Sequence, residues 1–273
     1  MGLDIEKLKA LQPHLDKKAR EEQLDYLRDD LINLTLDTDI IESFRTEKTR
    51  KKTEQSKRVI GHWVKEGVIQ GEQNSDGGWY HFNRIESIWI DIVTQLREFG
   101  LGLESLRKIR HQLFNDEVKG FKLIEYALMY SIIRKPYVMV VFPDGKINVL
   151  TKNDYSKTIE VNDLPLHLVL NFYNLAKKVF PNNNFETTQN LYSDNTSLTE
   201  DESKILFHFR TGDFDEIKIR MKDGSVYLVE KGREITNENK YAEILKNNDF
   251  ADIEIKKQNG KICFIKINEK IKI

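Results

Sequence analysis

Gln55-Ser56-Lys57-Arg58-Val59-Ile60-Gly61-His62-Trp63-Val64-Lys65-Glu66-Gly67-Val68-Ile69 is the stretch from which the fold is read. Ser56 can accept from the free N–H groups of a helix start and Gly67 can adopt the left-handed conformation that ends one, so a helix is predicted over roughly Ser56 to Glu66. Downstream, Asn74-Ser75-Asp76-Gly77-Gly78 has strong turn chemistry. Val68-Ile69 and the aromatic Trp79-Tyr80-His81-Phe82 flank it, so these two segments are expected to pair as short strands. Asn83 can then cap a helix to Phe99 with Ile85, Ile88, Trp89, Ile92, Val93 and Leu96 on its apolar face. Gly100 stops that helix, and another is expected from Leu103 to Phe114.

The order is a basic helix start, a hairpin and a helix pair. A helix in a groove with a hairpin wing on the phosphates is a recurrent way to hold duplex DNA. Upstream, Asp37 and Asp39 precede Ile40-Ile41-Glu42-Ser43-Phe44, the expected first helix of a helix-turn-helix. Arg45-Thr46-Glu47-Lys48-Thr49-Arg50-Lys51-Lys52-Thr53 follows, either a basic loop or a helix ordered on DNA. Residues 1–41 hold ten Asp/Glu against six Lys/Arg, whereas residues 42–66 hold eight Lys/Arg against four Asp/Glu. The net charge is only -1, so a nucleic-acid argument rests on this local excess.

Ser56 to Ile69 resembles the recognition helix and following turn of MerR-type transcription regulators. Trp79-Tyr80-His81-Phe82 falls where that family has its aromatic wing strand, and Leu96-Arg97-Glu98-Phe99-Gly100-Leu101-Gly102-Leu103 where it has its helix–Gly–helix hinge. Three linked matches in order are more specific than one helix pattern. The resemblance implies that Lys57, Arg58 and His62 approach the major groove or its flanking phosphates. It places Lys65 on the backbone, and Trp79, Tyr80 and His81 in the wing. Ser56 at the helix start, where free N–H groups face phosphate, joins this set. Two positions depart from the family: Gly61 and Tyr80 stand where it commonly carries arginine. The basic loop Lys48, Arg50, Lys51 and Lys52 is expected to supply those contacts instead.

The chain has 273 residues, 39% hydrophobic and 32% charged, which suits two or three small domains. A single cysteine, Cys263, excludes an intramolecular disulfide framework, and its alternating surroundings suggest a packed core thiol. No apolar run reaches the ~20 residues that span a bilayer, and charged sequence follows Met1, so a cytoplasmic protein without membrane contact is expected. The six histidines are scattered without metal-ligand spacing. There is no Ser/His/Asp arrangement, phosphate-binding glycine loop or paired-carboxylate motif. No enzymatic activity, cofactor or metal is therefore expected.

Elsewhere, residues 3–12 and 16–34 carry apolar positions at helical spacing (Leu8, Leu11; Leu24, Leu27, Leu31, Leu34), with Pro13 between them. Phe121 to Arg134 reads as a helix, Tyr137 to Phe142 as a buried strand, and Asp144-Gly145 as a turn into Lys146 to Thr151. Asp163 is expected to precede a helix carrying Leu164, Leu168, Leu170, Phe172, Leu175 and Phe180. An Asn/Ser/Thr-rich linker follows. Beyond it, Asp213-Phe214-Asp215-Glu216-Ile217-Lys218-Ile219 recurs 36 residues on as Asp249-Phe250-Ala251-Asp252-Ile253-Glu254-Ile255, and Asp223-Gly224 as Asn259-Gly260. Ile205 to Phe209 matches Tyr241 to Leu245 more loosely. Each unit reads as helix, strand, turn, strand, and two are expected to share one antiparallel sheet with both helices on its Ile217/Ile219 and Ile253/Ile255 face. The repeat loosely resembles small YezD-type proteins, ending here in Asn268-Glu269-Lys270-Ile271.

The expected fold class is α+β, with an N-terminal winged helix-turn-helix, a central helix-hairpin-helix unit and a C-terminal duplicated αββ domain. The expected divisions are 1–36 (helical arm), 37–114 (winged helix), 115–180 (accessory or dimerisation domain), 181–198 (linker) and 199–273 (duplicated αββ). The MerR-type resemblance implies a bacterial sequence-specific regulator binding double-stranded DNA as a homodimer on a palindromic operator, with RNA polymerase as a further candidate partner. The family's long coiled-coil helix has no room before Gly120 and Pro136, which moves the expected dimer interface to residues 121–180 or 1–34. Two alternatives stand beside this reading: an architectural, excisionase-like factor of a mobile element, and a protein-interaction scaffold with a degenerate winged helix.

Overall fold

Asp37 sets the start of the second of two N-terminal helices. Its carboxylate accepts from the N–H groups of Asp39 (3.0 Å) and Ile40 (3.4 Å), capping α2 (Thr38–Arg45) after α1 (Asp29–Thr35). The computed structural model describes residues 18, 21, 27, 29–45, 55–73, 78–115, 120–134, 136–161, 164–180, 198–222, 225–235, 251–258 and 261–272. The expected helix over 3–12, the basic loop and most of the Asn-rich linker lie outside these residues. The chain divides into two compact units, Met1–Tyr130 with Val138–Leu170, and Ser131–Tyr137 with Asn171–Ile273.

In the first unit, Leu27, Leu31 and Leu34 of the expected apolar stripe are buried, as are Ile40 and Phe44 of α2. Then come α3 (Lys57–Lys65), β1 (Glu72–Gln73), β2 (Tyr80–His81), α4 (Arg84–Glu98) and α5 (Leu103–Phe114). Asn83 caps α4 by accepting from the Glu86 N–H at 2.8 Å. Gly100, at φ 87, ends it as Leu101 N–H returns to Leu96 O (3.0 Å) and Gly100 N–H to Arg97 O (3.0 Å). Helix α6 (Leu123–Ile133), apolar except for Glu125 and Ser131, is buried on every side.

The β-structure of this unit differs from expectation in two places. Val68 and Ile69 do not form the wing strand, because their N–H groups return to Trp63 O (2.9 and 3.4 Å) and their side chains enter the core. The wing ladder forms four residues later, pairing Glu72 with His81 and Gln73 with Tyr80. The second difference is in the central unit. β3 (Tyr137–Val141) and β4 (Ile147–Thr151) form the expected hairpin, followed by α7 (Lys152–Val161), but Leu168–Asn171 is strand β5. It pairs on the other edge of β3, giving the order β4-β3-β5. Pro165 disfavours helical conformation at Leu164, and the following apolar run completes the ladder of the buried strand. The single helix expected over this region is confined to the short α8 (Phe172–Ala176), capped by Asn171.

The second unit contains α8, α9 (Glu200–Thr211) and one antiparallel sheet of β6 (Glu216–Lys222), β7 (Ser225–Ile235), β8 (Ala251–Gln258) and β9 (Lys261–Lys272), in the order β6-β7-β9-β8. Thr199 and Glu202 form a full capping box on α9. Arg210 donates to Ile132 O and, at 2.6 Å, to Ile133 O, and Phe207 meets the Phe180 ring edge to face. The duplication holds to the residue. Ile217 pairs with Lys231 and Ile253 with Ile267, and the register breaks at Arg220/Met221 and again at Lys256/Lys257. In the central pair Gly232 faces Asn268, its own repeat equivalent, so a pseudo-twofold axis passes there. A Cβ on Gly232 would lie 3.0 Å from Asn268 Oδ1, a tight contact.

The expected cover over the isoleucines is incomplete. Ile219 and Ile255 are 46% and 48% exposed, while Val229, Ile265 and Ile267 are buried. A twelve-residue helix such as α9 is about 18 Å long, against about 37 Å for the eleven residues of β7, so it covers only part of a strand. The second repeat helix and the Cys263 side chain lie outside the described residues.

Candidate nucleic-acid interface

Helix α3 is fixed at both ends by its own sequence. Ser56 Oγ accepts from the Val59 N–H at 3.4 Å. At the other end Gly67, with φ 68, donates to Val64 O (3.0 Å) while Val68 donates to Trp63 O (2.9 Å), so the last carbonyls are satisfied in a Schellman turn. The Trp89 indole N–H then binds Val68 O at 2.6 Å, tying this turn to the buried face of α4.

With its ends set, the helix presents two faces. Ile60 and Trp63 are buried, whereas Lys57, Arg58, His62 and Lys65 are exposed. Successive residues turn about 100°, so Lys57, Arg58, His62 and Lys65 occupy one arc and Gly61 lies within it. Among the described residues Arg58, His62 and Lys65 are engaged in no side-chain hydrogen bond or ion pair. The Arg58 and Lys65 charges and the His62 ring are available to a ligand. Ser56, expected among the contacts, spends its hydroxyl as an acceptor on the cap.

The wing stands beside this arc. Gln73 Nε2 donates to Gly78 O at 2.6 Å across the hairpin mouth. Tyr80 stacks on Phe82 with ring centroids 6.3 Å apart, and its edge faces Gly61. Trp79 is 38% exposed, while Tyr80 and His81 are half-buried. Phe82 is buried against Gly71, where a Cβ would fall 2.4 Å from the ring. Lys48, Arg50, Lys51 and Lys52 lie outside the described residues.

Three charged contacts hold the helix-turn-helix and wing to their support. Glu86 and Arg110, both buried, form a two-pronged pair at 2.6 and 3.0 Å, and Glu86 also accepts from the Gln70 N–H at the wing root (3.2 Å). The Arg110 guanidinium lies 4.2 Å over the Phe114 ring. Arg45, at the end of α2, binds the buried Glu125 of α6 through Nε (2.6 Å) and a terminal nitrogen (2.7 Å). Arg107 donates to Glu66 O (3.2 Å) at the end of α3. Sequence reading missed Glu86, Arg110, Glu125 and Gly71; the one local signal was a charged residue, Glu86, beside the apolar stripe of α4.

Among the described residues, no group of three or more His, Cys, Asp or Glu side chains is placed to hold a metal, and no helix is long and apolar enough to cross a membrane. The family model of the MerR HTH family regulatory protein matches residues 44–113. That segment runs from the end of α2 to the end of α5 and is similar to the helix-turn-helix of that regulator family. No curated protein and no solved structure matches the chain.

Proposed function

We propose that this protein is a sequence-specific transcription regulator that sets α3 in the major groove of duplex DNA and its wing on an adjacent phosphate backbone. The observation that carries this reading is the exposed arc of Arg58, His62 and Lys65, without side-chain partners among the described residues, on a helix fixed at both ends within the segment that matches the regulator family. Lys57 widens the arc. Trp79, Tyr80 and His81 form the wing side of the contact, and Lys48, Arg50, Lys51 and Lys52 add phosphate contacts. One such module reads too few bases for tight specific binding, so the protein acts as a homodimer on a palindromic operator. RNA polymerase is its partner at the promoter.

The test is recovery and sequencing of the genomic fragments that the full-length protein retains, followed by a salt titration on an enriched duplex. The expected result is a recurring inverted repeat, affinity that falls steeply with salt, and a dimer by sedimentation. Retention without any sequence enrichment would refute specificity, and a monomer bound to a single half-site would refute the dimer.

A further inference from the structure

Gly61 lies in the middle of α3, and nothing among the described residues calls for a glycine there. Its φ is not in the left-handed region, unlike Gly67, Gly100 and Gly145. Among the described residues, a Cβ built on it would meet only the Tyr80 ring edge, at 3.9 Å, an ordinary contact. Gly71 differs, since the Phe82 ring excludes any side chain. Gly102 has open space around it, but it sits at a helix N-cap, where glycine is tolerated. Glycine inside a helix is disfavoured relative to alanine because it loses more backbone freedom on folding. Gly61 therefore costs stability without an internal return, and it does so on the exposed cationic arc. Lys57 and Lys65 lie one turn to either side, and Arg58 sits three residues before it.

We propose that Gly61 is the close-approach point of the interface, a notch where the main chain of α3 seats directly against base edges in the major groove. The Tyr80 ring walls the notch on the wing side. Lys57, Arg58 and Lys65 engage the phosphates around it. The inference rests on the DNA-binding reading and adds the residue that sets how deeply the helix enters. A side chain at this position would hold the helix off the groove floor and leave every cation in place.

The experiment compares full-length wild type, Gly61→Ala and Gly61→Leu on a labelled duplex from the fragment most enriched by the wild-type protein. Fluorescence anisotropy is measured over a salt series and thermal melting in parallel. Gly61→Ala is expected to melt at or above the wild-type temperature yet bind about tenfold more weakly, the loss of roughly one good base contact. Its salt slope stays unchanged because no cation is lost, and Gly61→Leu binds more weakly still while remaining folded. Wild-type affinity in Gly61→Ala overturns the proposal, as does a lower melting temperature, which would assign the glycine to the fold. A reduced salt slope also overturns it by placing the loss at phosphates. If the wild-type protein retains no duplex at all, the DNA-binding reading fails and this inference falls with it.

Discussion

Replacing Arg110 with leucine leaves the Glu86 carboxylate buried with only the Gln70 N–H to answer it. Both side chains of the pair are about nine-tenths buried, so the orphaned charge cannot recover its hydration. Breaking such a pair from one side costs about 3–5 kcal/mol. Glu86→Leu should cost a similar amount, since it strands the guanidinium. In the double variant Glu86→Leu/Arg110→Leu no charge is left buried. Gln70 is exposed, so its N–H can turn to water, and the double variant should be more stable than either single variant. Urea unfolding followed through Trp63 and Trp89, both buried in this unit, gives the three free energies at constant slope. A double variant whose loss equals the sum of the singles would refute the pairing argument. So would an Arg110→Leu variant within ~1 kcal/mol of wild type.

Arg58→Ala removes an exposed cation with no internal partner, so it should weaken binding to an enriched duplex by ~1–3 kcal/mol without changing the melting temperature; equal affinity in the folded variant would remove α3 from the groove. Gly71→Ala forces a Cβ to within 2.4 Å of the Phe82 ring and should destabilise the first unit by about 1–3 kcal/mol, whereas a thermal melt matching wild type would show that the wing root is not crowded. His208 is buried with neither ring nitrogen hydrogen-bonded, and burial, followed by the charges of Lys231 and Lys204, pushes its pKa from 6.5 down to about 3. Below about pH 6.5 the unfolded chain takes up a proton that the folded imidazole refuses, so this contribution to stability is whole above that pH. It is lost by up to ~1.4 kcal/mol per unit as pH falls toward 3. His208→Leu should flatten the decline in urea midpoint between about pH 7 and pH 5; an unchanged slope would show that the imidazole is protonated in the folded state.

Local chemistry alone determined where most helices begin and end. Ser56 and Asn83 accept from N–H groups three residues ahead, and Gly67 and Gly100 adopt the positive φ that ends α3 and α4. These interactions span one turn, so a short window of sequence contains both partners. The family resemblance pointed to Lys57, Arg58, His62 and Lys65, which α3 presents opposite the buried Ile60 and Trp63, and the 36-residue repeat foretold a four-stranded sheet whose register duplicates residue for residue. Tertiary structure decided what depends on distant partners. Val68 and Ile69 have the composition of a strand, but the carbonyls at the end of α3 and the core compete for them, and the ladder passes to Glu72 and Gln73. Leu168 to Asn171 could have continued a helix, but β3 offers an open edge, and backbone groups buried beside it must find partners. Glu86 with Arg110 and Arg45 with Glu125 join residues 24 and 80 positions apart. No periodicity encodes such pairs, because their attraction arises only once packing has removed water from both partners. The same holds for Gly61 and Tyr80, nineteen residues apart in sequence and neighbours only because the hairpin folds back beside α3.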